Sequence, residues 1–244
     1  MLADELFTYI FDGKSHLIAR PMGTWLSSSR RFAAFVDTFR DKIRKKLRII
    51  QDKDSVLDLR LELETAYLLL REPRLSLVYE PQMSEKVRAP DFAVSFTTSL
   101  TFMLEVTRLR ADPQGLPLAA SEVDTTQSID RLTDAVCSKL GQLLPQHSNV
   151  LLVGTDSLDL TDDDLRSVML RLQQRGERDI SSLLQRYRFR DRAEFFQRYQ
   201  RLSEILVRDS DLQAGKPLVA WVNPQAKQPL PGKVRTVLYR SQTV

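Results

Sequence analysis

The sequence predicts an α/β sandwich, and three observations predict it. Between residues 31 and 50, Phe32, Phe35, Phe39, Ile43, Leu47 and Ile50 recur at three- and four-residue steps, the period of a helix with one apolar face. From residue 75 the period drops to two. Leu75, Leu77 and Tyr79 alternate with Ser76, Val78 and Glu80, and residues 91–96 and 100–109 are rich in Phe, Val, Leu and Thr. Residues 149–155 then form a short apolar run, the pattern of a strand buried on both faces.

Taken in chain order, residues 2–11 read as a short helix, followed by a loop through Gly13, Pro21 and Gly23. The helix at 31–50 comes next, and a third, from about residue 56 to residue 71, stops before Pro73. Three strands follow. Residues 110–127, with Pro113, Gly115 and Pro117, make a long loop of the kind that often serves as a lid. Ile129, Leu132, Val136, Leu140 and Leu143 mark a helix ending near Pro145. After the strand at 149–155, Thr161 and Asp164 have capping-box spacing, so Asp162, Asp163 and Asp164 complement a helix dipole rather than a cation.

Residues 180–208 read as helical with one break. Their aromatics Phe195 and Tyr199, continued by Leu202 and Leu206, form a helical stripe, which favours core packing over a base-stacking surface. Residues 216–223 and 234–240 read as closing strands. The expected order is therefore helix, three strands, helix, strand, then a helical insertion and two strands. Residues 1–55 form a helical extension, and residues 56–244 an α/β domain with its insertion at about 157–212.

The bulk numbers agree. In 244 residues, 42% are hydrophobic and 28% charged, proportions that exclude a disordered chain. No run approaches the roughly 18 apolar residues of a membrane helix, and Met1-Leu2-Ala3-Asp4-Glu5 lacks the start of a secretory signal. Cys137 is the only cysteine, which rules out an intramolecular disulfide or a cysteine-rich zinc site and points to a reducing cytoplasm. The net charge of +4 is unevenly spread. One basic cluster spans Arg30, Arg31, Arg40, Lys42, Arg44, Lys45, Lys46 and Arg48; a second holds Arg186, Arg188, Arg190, Arg192, Arg198 and Arg201. Such clusters either neutralise phosphates or form solvated helix faces. His16 and His147 have no ligand or base partner at useful spacing.

The hairpin at 91–109 carries the sharpest signal. With Thr97, Thr98 and Ser99 in the turn, Phe96 opposes Leu100, Val94 opposes Phe102 and Phe92 opposes Leu104, so one face is wholly apolar. The same register sets Asp91 opposite Glu105. Like charges on directly opposed residues destabilise a sheet, and either a shared proton or a cation relieves them. Oxygen-only ligands suit a hard divalent ion, Mg²⁺ or Mn²⁺.

Ala89-Pro90-Asp91-Phe92 followed by Glu105-Val106-Thr107 resembles the motif of the PD-(D/E)XK nuclease superfamily, over about 100 residues of the chain. The resemblance implies a restriction-endonuclease-like αβββαβ core with a mixed central sheet. It also implies a Mg²⁺ or Mn²⁺ ion held by Asp91, Glu105 and the backbone carbonyl of Val106, hydrolysing phosphodiester bonds in DNA. A glutamate of the preceding helix, Glu62 or Glu64, would complete the site. The motif lysine is replaced by Thr107, which has neither its charge nor its proton. Lys139 on the following helix is the candidate substitute. The alternative is a catalytically silent relative that keeps the fold as a nucleic-acid-binding or assembly module.

Overall fold

Sequence order and spatial order coincide in the sheet. The computed structural model describes residues 3–82, 88–98, 100–110, 122–156, 160–178, 180–210 and 216–242. Among them six strands lie side by side in chain order: β1 (Leu75–Tyr79), β2 (Phe92–Phe96), β3 (Leu100–Leu109), β4 (Ser148–Thr155), β5 (Leu202–Asp209) and β6 (Val219–Val222). β1, β2 and β3 are antiparallel neighbours, β3, β4 and β5 run parallel, and β6 returns antiparallel. Helices α1 (Ala3–Phe11), α2 (Ala19–Ser28), α3 (Arg30–Ile49) and α4 (Lys53–Arg71) precede the sheet. α5 (Glu122–Leu140) links β3 to β4, while α6 (Asp162–Arg178), α7 (Ser181–Tyr187) and α8 (Arg192–Tyr199) link β4 to β5; α9 (Gly232–Gln242) follows β6. No described helix is long and apolar enough to cross a membrane.

Two apolar cores occupy the two faces of the sheet. One joins α1–α4 and α9 to Phe92, Val94, Phe102, Leu104, Val106, Val150, Leu152 and Leu206. The other joins α5–α8 to Leu151, Val153, Ile205 and Val207. β4 feeds alternate residues to both, which explains its unbroken apolar run. The apolar residues of α1–α3 belong to the same core as the sheet, so the expected extension at 1–55 is packed into the α/β layer.

Local chemistry sets the helix boundaries. Ser29 caps α3 by accepting from the Phe32 N–H, and Asp52 caps α4 by accepting from Ser55 N at 2.8 Å. The far end of α4 is satisfied from outside: Arg31 donates to the carbonyls of Leu70 (2.8 Å) and Glu72 (2.7 Å), groups a helix terminus leaves unpaired. Thr161 and Asp164 exchange the two capping-box bonds, at 3.0 and 3.2 Å.

Three expectations are corrected. The loop expected through Pro21 and Gly23 is α2; Pro21 lies in its first turn, where a missing N–H costs no helical bond, and Met22, Trp25 and Leu26 form its buried stripe. Residues 202–208, expected to be helical, lie in the interior strand β5 between β4 and β6, so the insertion at about 157–212 contains a core strand. Residues 234–240, expected as a strand, lie in α9, where Val234, Val237, Leu238 and Ser241 are buried at helical spacing. Most of the loop expected at 110–127, residues 111–121, lies outside the described residues, and residues 122–127 are the first turns of α5 instead.

Candidate active site

The hairpin of β2 and β3 has the register that its apolar pairs require: Phe92 opposite Leu104, Val94 opposite Phe102 and Phe96 opposite Leu100. Thr97 turns the corner with φ +53. Asp91 stands one residue before the first paired position, after the buried Pro90. Its backbone carbonyl accepts from Glu80 N at 2.8 Å, and its carboxylate Oδ2 accepts from Val106 N at 2.7 Å. The Asp91 side chain thus takes the place of a ladder carbonyl at the end of the sheet.

Glu105 is on β3 with 3% of its surface exposed. Its neighbours Leu104 and Val106 point into the core beneath α4, so Glu105 points to the α5 face. There Lys139 meets it, Nζ to Oε2 at 3.1 Å, with side-chain exposures of 15% and 4%. The other oxygen, Oε1, is buried with no hydrogen-bond partner among the described residues. A half-satisfied buried carboxylate is costly and leaves an acceptor available to a cation.

Glu62 approaches from α4, on the opposite face. Its Oε2 accepts from Lys46 Nζ at 2.9 Å and from the Tyr79 hydroxyl at 2.7 Å. Lys46 also pairs with Glu80 at 2.6 Å. Burial first, and then the charge of Glu105, push the Asp91 carboxyl up to about 6, against the opposing pull of the Val106 N–H, Lys139 and Lys46. Burial and the Asp91 charge likewise raise Glu62, although Lys46 and Tyr79 pull it down. Asp91 therefore interacts with both acids, one from each face of the sheet. Burial lowers and the carboxylates of Glu62 and Glu80 raise the Lys46 ammonium; the net direction is up. Burial foremost, with Glu62, raises the Tyr79 phenol.

Glu64 is elsewhere. Two residues along a helix point away from each other, and the Glu64 carboxylate meets Arg208 of β5 at 3.0 Å, both side chains almost fully buried. Of the two glutamates proposed for the site, Glu62 is the one beside Asp91. Lys46, Tyr79 and Glu80 join this constellation without having been singled out. In the sequence Lys46 is one member of a basic cluster, and Tyr79 and Glu80 only close a strand pattern.

Among the described residues, no three His, Cys, Asp or Glu side chains converge as a ready-made metal cage. The chemistry of the donors still fits a hard cation: two carboxylates in electrostatic contact, one with a buried unpartnered oxygen, beside a strand end. Mg²⁺ commonly binds through one or two carboxylates and keeps the rest of its shell as water or substrate oxygen.

The basic clusters are largely committed internally. Arg40 pairs with Asp37, Lys42 with Glu80, and Arg44 and Arg48 with Asp12. In the second cluster Arg186 pairs with Asp134 and Arg198 with Glu194. Phe189, Phe195 and Tyr199 are buried, as core packing requires. No family model matches the chain, and no curated protein and no solved structure matches it.

Proposed function

We propose that the protein is a metal-dependent phosphodiesterase of restriction-endonuclease-like architecture acting on nucleic acid, with DNA as the expected substrate, in a reducing cytoplasm. One observation carries the reading: Asp91 and Glu105 are close enough for Glu105 to oppose ionisation of Asp91, while Lys139 reaches Glu105 from the following helix. Supporting it, the order α4, β1, β2, β3, α5, β4 within a mixed sheet is the αβββαβ order that the motif resemblance implies.

Asp91, Glu105 and the Val106 carbonyl would hold Mg²⁺ or Mn²⁺, which when bound activates water and neutralises charge on the scissile phosphate. The chain's own residues do the rest. The Val106 N–H fixes the Asp91 carboxylate. Lys139 supplies the positive charge that Thr107 cannot, and its ammonium is placed to move a proton at the Glu105 edge. Lys46 and Tyr79 hold Glu62 oriented beside Asp91.

Cleavage of labelled DNA with Mg²⁺ or Mn²⁺ tests this. Asp91→Ala and Glu105→Ala abolish the activity, and Lys139→Gln lowers it about 10²- to 10⁴-fold, the usual worth of a positioned proton-transfer group. Cleavage that persists in both carboxylate variants, or that needs no metal, defeats the proposal.

A second reading, a silent binding or assembly module, is favoured by Thr107 and by the Lys139–Glu105 pair, which partly neutralises Glu105 without a cation. Titration calorimetry separates the two. Absence of heat at millimolar Mn²⁺ supports the silent module.

A further inference from the structure

Residues 180–201, which hold α7 and α8, carry six arginines, no lysine and two acidic residues. Four of the arginines have partners. Arg186 pairs with Asp134, Arg190 with Asp191 and Arg198 with Glu194, and Arg201 donates to the Leu143 carbonyl at 3.1 Å. Arg188 and Arg192 are exposed, and neither has an ion pair or a side-chain hydrogen bond among the described residues. Both also stand where local physics disfavours arginine. Arg188 closes α7 with φ +56, the left-handed cap that glycine fills without strain. Arg192 opens α8, where the helix dipole repels a cation. The turn between them is well fixed. Phe189 is buried as its anchor, Arg190 N donates to Glu194 Oε2 at 2.6 Å, and Glu194 N donates to Asp191 Oδ1 at 2.8 Å.

Two arginines kept at a local cost, on a fixed turn and facing water, answer to something outside the fold. We infer that this turn is a docking point for the phosphodiester backbone of a nucleic acid, with Arg188 and Arg192 each taking a phosphate. The guanidinium fork fits a carboxylate as well as a phosphate, and the choice of phosphate rests on the nuclease reading together with the shape of the turn. Its aromatic residues Phe189 and Phe195 face the core, so the outer surface offers charge without the apolar contact that anchors a peptide. Its position agrees. Arg186 and the Tyr187 hydroxyl tie the chain just before the turn to Asp134 of α5. Lys139 lies five residues further along that helix, about 7.5 Å by its rise, and meets Glu105 there. A backbone resting on the turn is therefore on the Glu105 side of the sheet. The basic cluster of α3 is the poorer candidate, because Arg40, Lys42, Arg44, Lys46 and Arg48 all pair with acids of the chain.

Fluorescence anisotropy in EDTA, where metal-dependent cleavage is blocked, reads the binding of a fluorescein-labelled duplex DNA of twenty base pairs at low salt. Arg188→Gly combined with Arg192→Gln is expected to weaken binding about tenfold and to lower the slope of log affinity against log salt by about 1.8, the share of two phosphates. The same variant melts at or above the wild type, since each change removes a local cost. Arg40→Gln combined with Arg48→Gln, on α3, keeps the affinity within about twofold. Binding indifferent to Arg188 and Arg192, or an equal loss in the α3 variant, overturns the assignment. So does a lower melting temperature, which would give the two arginines a structural role, or a labelled oligoglutamate bound more tightly than the DNA, which would make the partner an acidic peptide. The two readings fail separately. Arginine-dependent binding with no cleavage in Mg²⁺ or Mn²⁺ sustains the docking turn and sinks the nuclease; metal-dependent cleavage lost in Asp91→Ala, with binding indifferent to Arg188 and Arg192, does the reverse.

Discussion

Asp91 is held where its ionised form is unwelcome. Its carboxyl is raised from an ordinary 3.8 to about 6, chiefly by burial and then by Glu105. Because the folded value exceeds the unfolded one, the fold gains from protonation of Asp91. That gain is fully present below about pH 4 and is lost as the pH rises through 6. Asparagine mimics the protonated form and can still accept from the Val106 N–H. Asp91→Asn is therefore expected to stabilise the metal-free protein at pH 7.5 by roughly 3 kcal/mol, the equivalent of about two pKa units. For a chain of this size that is a melting temperature higher by roughly 6–12 °C. At pH 4 the variant and the wild type should melt together, and thermal scans at the two pH values check this. A variant destabilised at pH 7.5 would contradict the electrostatic account. The Asp91–Glu105 pair was legible in the sequence because a hairpin register is local: three apolar pairs fix it, and the acids follow. The choice between Glu62 and Glu64 was not legible, since the residue that claims Glu64, Arg208, is far away in the chain.

At the scale of elements the same lesson explains the strand that sequence periodicity missed. β5 carries Glu204 and Arg208 on the face turned toward α4 and α9, which looks wrong for a buried interior strand. Each is answered by a distant helix. Arg235 Nε and the Tyr239 hydroxyl donate to Glu204 at 2.5 and 2.9 Å, and Glu64 receives Arg208. Phe195, Tyr199, Leu202 and Leu206 also fall at helical spacing by coincidence of α8 running into β5, with only Gln200 and Arg201 between them. Breaking a buried ion pair leaves an uncompensated charge and costs about 3–5 kcal/mol, whereas replacing both partners by apolar groups is often nearly neutral. Arg208→Met alone should lose that amount in urea unfolding, and Arg208→Met with Glu64→Leu should recover most of it. Equal losses in the single and double variants would show that the pair contributes nothing specific. The same distance dependence hid α9. Read locally, Val234, Thr236 and Leu238 alternate; only the layer beneath makes Val234, Val237, Leu238 and Ser241 the buried set.

At the scale of the molecule, the α/β class was visible because strand and helix periods differ strongly, and the hairpin and the β4 run are local signals. The connectivity beyond β4 was not, because it depends on partners at opposite ends of the chain. α9 shows how far that reaches. Leu230, Val234, Val237 and Leu238 lie in the same core as Leu6, Phe32 and Leu63, and Arg240 pairs with Glu72 at the end of α4. Deleting residues 230–244 uncovers four large apolar side chains' worth of core, at about 1.5–3 kcal/mol each. That sum approaches the whole 5–15 kcal/mol stability of an ordinary domain. The truncated chain is expected to lose cooperative unfolding and near-ultraviolet dichroism; retention of a sharp transition would contradict this.

Strand order equal to chain order has a consequence for synthesis on the ribosome. Each strand emerges beside the edge left by the one before it, so the sheet can grow as the polypeptide lengthens, with no strand waiting to be threaded between two others. The helical layer over α4 behaves differently: one of its pieces, α9, comes after the whole sheet in the chain. A nascent chain should therefore carry a nearly finished sheet with one face still greasy until α9 has emerged, and it is over that interval that a chaperone would find something to hold.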